Sequence, residues 1–125
     1  MDDQGHEYQK ILSDLAGPAK DLRSRIPDVW RGFAELAKAA VAEGELTGGT
    51  KELIAIAIAV ARECDGCIAN HARSAVRKGV TPQQMAEMLG VAVLMLGGPG
   101  TVYGPRAWEA FMEFYAAAHP EPALG

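Results

Sequence analysis

Leu53-Ile54-Ala55-Ile56-Ala57-Ile58-Ala59-Val60-Ala61 is the longest apolar run of the chain, and its reading decides the fold. Isoleucine and alanine alternate with period two, the pattern of a half-buried strand. Alanine is the strongest helix former, however, and the run continues without a break into Arg62-Glu63. We therefore read a helix. One so apolar on all sides has to be buried, either centrally in the domain or between subunits. The run is too short to cross a bilayer.

Working upstream, Thr50 is a good N-cap for this helix, with Glu52 in a first turn that suits a carboxylate. Thr47-Gly48-Gly49-Thr50 separates it from a preceding helix that starts near Pro27 and reaches about Glu43. The expected buried stripe of that helix is Val29, Trp30, Phe33, Leu36, Ala37 and Ala40. A first helix carries Tyr8, Ile11, Leu12 and Leu15, and Gly17-Pro18 is expected to end or interrupt it.

Downstream, Cys64 or Asp65 caps a helix bearing Cys67, His71, Ala72, Ala75 and Val76, and Lys78-Gly79 ends it. Thr81-Pro82-Gln83-Gln84 is a strong start signal, with Thr at the N-cap, Pro at N1 and Gln at N3. The helix it opens carries Met85, Met88, Leu89, Ala92, Val93 and Leu96, and Gly97-Gly98-Pro99-Gly100 stops it. A last helix, from about Val102 to Ala118, is expected to bury Trp108, Phe111, Met112 and Tyr115. The expectation is an all-α fold of about six helices in one domain over 1–125, with loose ends at 1–7 and 119–125.

Composition agrees with that class. Hydrophobic residues are 49% of the chain, enough for a core, and aromatics only 6%, which favours close-packed helices over sheets. A net charge of −4 without a basic cluster gives nucleic acid nothing to bind. The opening Met1-Asp2-Asp3-Gln4-Gly5-His6 is polar and acidic, unlike a signal peptide. With no membrane segment, a cytoplasmic protein is expected, and there a Cys-x-x-Cys pair points to catalysis or metal binding rather than to a structural staple.

Both cysteines lie in Glu63-Cys64-Asp65-Gly66-Cys67-Ile68-Ala69-Asn70-His71. On a helix, Cys67 and His71 are stacked one turn apart. An imidazole there can take the proton of a thiol, and the thiolate is the reactive form. The helix N-terminus also favours a thiolate, while the carboxylates of Glu63 and Asp65 oppose it. Glu52 could orient the imidazole as the third member of a relay. In a simple hairpin Glu52 and His71 would be out of register by about 8 Å, so helix crossing or a non-helical stretch around Arg62 to Asp65 has to close the gap. His6 and His119 have no such context and are read as surface residues.

The spacing E-x(11)-C-x(2)-C-x(3)-H, formed by Glu52, Cys64, Cys67 and His71, resembles the alkylhydroperoxidase AhpD-like branch of the carboxymuconolactone decarboxylase family. The similarity runs from about Lys51 to Gly97, and more loosely from Ile26 to the last helix. The resemblance implies an all-α fold, assembly as a homotrimer or homohexamer, and a thiol peroxidase or disulfide carrier that needs no cofactor and no metal. It makes Cys67 the thiolate activated by His71, with Glu52 supporting the relay and Cys64 closing the disulfide. The substrate would be a hydroperoxide and the reductant a dithiol or a protein disulfide reductant. AhpD itself has a histidine directly before the second cysteine, where this chain has Gly66, so that second imidazole is missing. Two alternatives stay open on the same residues. One is a carboxymuconolactone decarboxylase-type lyase with His71 and Glu52 as its acid/base pair. The other is a zinc site built from two thiolates, an imidazole and a carboxylate.

Overall fold

The computed structural model describes residues 7–121 and contains six helices, with no strand among the described residues. They are α1 (Glu7–Arg25), α2 (Pro27–Ala40), α3 (Gly48–Ala61), α4 (Asp65–Arg77), α5 (Pro82–Leu96) and α6 (Gly98–Ala118). The Ile/Ala run is helical, as read, and α3 buries Ile56, Ala59 and Val60.

Helix α4 lies at the centre, packed against α1, α3 and α6, and α6 packs in turn against α5. Alanine makes this crowding feasible. Ala69, Ala72 and Ala75 of α4 and Ala107 and Ala110 of α6 are all fully buried, and side chains this small let helices approach closely. Tyr8, Ile56, Ile68, Met85 and Phe111 fill the remaining space. The start of α5 is as expected: Thr81 and Gln84 form a reciprocal capping box, with Pro82 opening the helix.

Several expectations are corrected. Gly17-Pro18 does not interrupt α1, which runs through it for 19 residues. Proline disfavours a helical residue before it mainly through a clash with that residue's Cβ and N–H, and Gly17 has no Cβ. The stretch is exposed, so water can serve the carbonyl that Pro18 leaves without a partner. The cap of α3 lies one turn earlier than expected: Thr47 accepts from the Thr50 N–H at 3.1 Å, and Gly48-Gly49 belong to the helix. Helix α6 likewise starts at Gly98 rather than Val102. Gly97, at φ 68°, reverses the chain in a single residue, and Pro99 fits the first turn of a helix.

The expected buried stripe of α2 is not buried. No residue of α2 is, and Val29, Phe33 and Leu36 are 60 to 66% exposed. The reason is placement: among the six helices α2 packs only against α1 and stands off the body. Trp108, also expected inside, is 37% exposed on the outer side of α6, whereas Phe111 is buried as expected. At the ends, Glu7 is helical and His119 caps α6, its N–H donating to Tyr115 and Ala116 carbonyls. The other expected loose residues, apart from Pro120 and Glu121, lie outside the described part of the chain.

Candidate functional site

The turn between α3 and α4 aligns the site. Helix α3 stops at Ala61, Glu63 adopts φ 54°, and Cys64 is extended at φ −106° before α4 begins at Asp65. Counting back from this turn, Glu52 lies about 13.5 Å along α3 at 1.5 Å per residue. Counting forward, His71 lies about 9 Å along α4 and Lys78 about 19.5 Å. Glu52 therefore falls between the levels of His71 and Lys78, and its carboxylate reaches both. The short non-helical stretch at Arg62 to Cys64 removes part of the expected register gap, and the length of the glutamate side chain spans the rest.

His71 Nδ1 lies 2.7 Å from Glu52 Oε1, and Lys78 Nζ donates to Glu52 Oε2 at 2.8 Å. The Glu52 side chain is only 3% exposed, while those of His71 and Lys78 are 30% and 31% exposed. A carboxylate accepts, so a neutral His71 carries its proton on Nδ1 and keeps a lone pair on Nε2. Glu52 was expected in the first turn of its helix; it lies in the second and is held by side chains of α4 and its C-cap, not by the dipole of α3. Lys78 was read only as part of a helix end. Its spacing from His71 carried the missed signal, because seven residues are two helical turns and bring a side chain back to the same face.

Gly48 makes room for this lysine. A Cβ at Gly48 would lie 3.3 Å from Lys78 Cδ and 2.9 Å from Glu43 Oε1. Lys78 Nζ also donates to the Val41 carbonyl at 3.3 Å, tying the end of α4 to the segment between α2 and α3.

Cys64 and Cys67 are joined in a disulfide at the start of α4. Cys64 is the N-cap, and its Sγ accepts from the Cys67 N–H at 3.3 Å. Cys64 is half-buried and Cys67 exposed. His71 lies one turn beyond Cys67 in an unbroken helix, and its Nδ1 hydrogen bond goes to Glu52 rather than to sulfur.

Asp65, between the two cysteines, faces an arginine from α6: Arg106 Nη1 lies 3.5 Å from Asp65 Oδ2, while Asp65 Oδ1 is buried without a hydrogen-bond partner. Asp65 holds the Arg106 guanidinium above its ordinary value. Burial, followed by the charge of Asp65, pushes the Tyr8 phenol up to about 12. Arg106 thus offsets part of the carboxylate charge beside the sulfurs. Away from this site, burial and then the neighbouring charge of Arg77 lower Arg73. Nearby, Asn70 accepts from Arg73, Tyr103 lies under the Arg106 guanidinium, and Arg62 is the exposed C-cap of α3.

Among the described residues no cluster of three or more His, Cys, Asp or Glu side chains is arranged to hold a metal ion, and here the two sulfurs are bonded to each other. The residues instead form a disulfide and, beside it, a buried carboxylate–imidazole pair suited to moving a proton.

Residues 27–119 match the family model described as Carboxymuconolactone decarboxylase family. An uncharacterized protein of Cupriavidus necator is 36% identical, the match covering 73% of this chain and 93% of that protein. An uncharacterized protein of the cox locus of Paracoccus denitrificans is 37% identical, covering 68% of this chain and 77% of that one. Among solved structures, the apo form of a carboxymuconolactone decarboxylase family protein from Legionella pneumophila superposes with a TM-score of 0.85. It is 41% identical and covers 88% of this chain and 98% of its own. Sequence and fold together show that this chain belongs to the carboxymuconolactone decarboxylase family.

Proposed function

We propose that the protein, as one AhpD-like domain, is a thiol-dependent peroxidase working through Cys64, Cys67, His71 and Glu52. The observation that carries this reading is the Cys64–Cys67 disulfide one helical turn before an imidazole whose Nδ1 is engaged by a buried carboxylate. In the reduced enzyme, His71 Nε2 takes the Cys67 proton. The thiolate attacks the terminal oxygen of a hydroperoxide, the O–O bond breaks, and His71 returns the proton to the leaving alkoxide. Cys67 is now a sulfenic acid and the peroxide an alcohol. Cys64 attacks the Cys67 sulfur, expelling water and closing the disulfide. A dithiol or a protein thiol partner reopens it by exchange, and its own thiols become a disulfide. The greater exposure of Cys67 supports its meeting the peroxide first.

We place this cycle in the cytoplasm, where thiols are kept reduced, and in a homotrimer or homohexamer. Among the described residues no helix is long and apolar enough to cross a membrane.

The test is peroxide turnover with a defined dithiol donor. Cys64→Ser, Cys67→Ser and His71→Ala should each lose most activity, His71→Ala by about 10²-fold or more, and Glu52→Gln should lose less. The His71–Glu52 pair also favours a second reading, a lyase of the decarboxylase type that uses the pair for acid/base chemistry. Cys67→Ser separates the two: a lyase largely survives it, whereas the thiol cycle stops.

A further inference from the structure

We propose that Lys78 is a positioning residue of this site: its ammonium keeps Glu52 a hydrogen-bond acceptor on both oxygens and so holds His71 in the tautomer whose Nε2 is free to act as a base. The last step rests on the thiol reading above; the tautomer assignment does not.

A carboxylate with a side chain 3% exposed has lost nearly all its water and needs a positive partner and satisfied oxygens. Lys78 Nζ supplies both at 2.8 Å from Oε2, leaving Oε1 for His71 Nδ1 at 2.7 Å. Only an ionised Glu52 accepts on both oxygens at once, whereas a protonated one would donate through its O–H to the imidazole. Nδ1 would then accept, the ring proton would move to Nε2, and no lone pair would remain on that nitrogen.

Lys78 is itself held in place. A second donor bond goes to the Val41 carbonyl at 3.3 Å, and its Cδ passes 3.3 Å from where a Cβ on Gly48 would stand. Two other charged groups lie nearby. Lys51 is turned away to the Ala42 carbonyl at 2.8 Å, and Glu43 sits beside the Gly48 backbone. Neither has a bond to Glu52, so Lys78 is the ammonium that balances this carboxylate.

The experiment is nitrogen NMR of the histidine side chains in the reduced protein at neutral pH, read with the rate of Cys67 alkylation by iodoacetamide. Wild type and Lys78→Arg, which keeps the charge, should show His71 protonated on Nδ1. Lys78→Gln, which keeps a donor but not the charge, should move the proton wholly or partly to Nε2 and slow alkylation by about tenfold. The same His71 tautomer in Lys78→Gln and Lys78→Arg would overturn the proposal. Should Lys78→Gln not fold, the carbon NMR signal of the Glu52 side chain in wild type decides instead: a carboxylate supports the proposal and a carboxylic acid overturns it. Neither signal depends on peroxide, so a wild type without turnover would remove the peroxidase reading and leave this assignment standing.

Discussion

Glu52 opens a long apolar run, and the neighbouring Lys51 turns its ammonium to the Ala42 carbonyl. The Glu52 carboxylate is held by His71 and Lys78, 19 and 26 positions away. His71 was legible because a histidine one turn after a cysteine is a local pattern. Lys78 was not, because a helix-ending lysine looks like any surface cation. Glu113 was missed for the same reason. It is a buried carboxylate in the last third of the chain that accepts from the Tyr8 and Gln9 N–H groups at 3.2 and 2.7 Å, closing the open start of α1. Glu113→Ala should cost about 2 kcal/mol in urea unfolding, because two backbone donors lose a charged acceptor. Tyr8, buried beside Asp65, gives a pH prediction. The folded protein keeps the phenol proton to about 12, while the unfolded chain releases it near 10. Between these values the unfolded state binds fewer protons, so stability falls as pH rises through the window. Tyr8→Phe should flatten that fall, measured as unfolding midpoint against pH.

At the scale of the element, periodicity and caps gave five of six helices nearly at their observed positions. Two of the misses, the break expected in α1 and the late start expected for α6, share one physical cause, glycine beside proline. Gly17-Pro18 and Gly104-Pro105 both lie inside helices, and Gly98-Pro99 starts one. A glycine removes the Cβ clash that otherwise keeps the residue before proline out of the helical region. The pair is expected to break α1, yet the same pair at Gly104-Pro105 falls within the expected span of the last helix. Gly100 belongs to a different class. A Cβ there would meet Val93 Cα at 3.0 Å and Leu96 Cβ at 3.1 Å, where α6 leaves α5. Gly100→Ala should therefore destabilise by about 1–3 kcal/mol through overpacking, despite alanine's better helix propensity, as read by thermal unfolding. Glu63, at φ 54°, stands in the left-handed region, where asparagine is better tolerated. Glu63→Asn should hold or slightly raise the melting temperature while keeping the turn that sets Glu52 against α4.

At the scale of the molecule, the sequence showed which side chains of α2 are apolar but not what they face. Periodicity gives a face and does not say whether the same chain or another covers it. Val29, Phe33 and Leu36 on α2 are exposed, as are Ile54 and Ile58 on α3 and Val91, Leu94 and Met95 on α5. So much apolar surface fits a chain that associates with copies of itself. Phe33→Asp combined with Leu36→Asp should leave the helical body folded and shift the sedimentation coefficient to that of a smaller species. An unchanged coefficient would show that α2 takes no part in assembly.

Stoichiometric peroxide added to the fully reduced protein tests the thiol cycle most directly. Mass spectrometry and thiol titration should find two thiols lost per peroxide and a Cys64–Cys67 disulfide formed, with His71→Ala slowed by about 10²-fold or more. Thiols that survive the peroxide, or a His71→Ala variant that closes its disulfide at the wild-type rate, would contradict it.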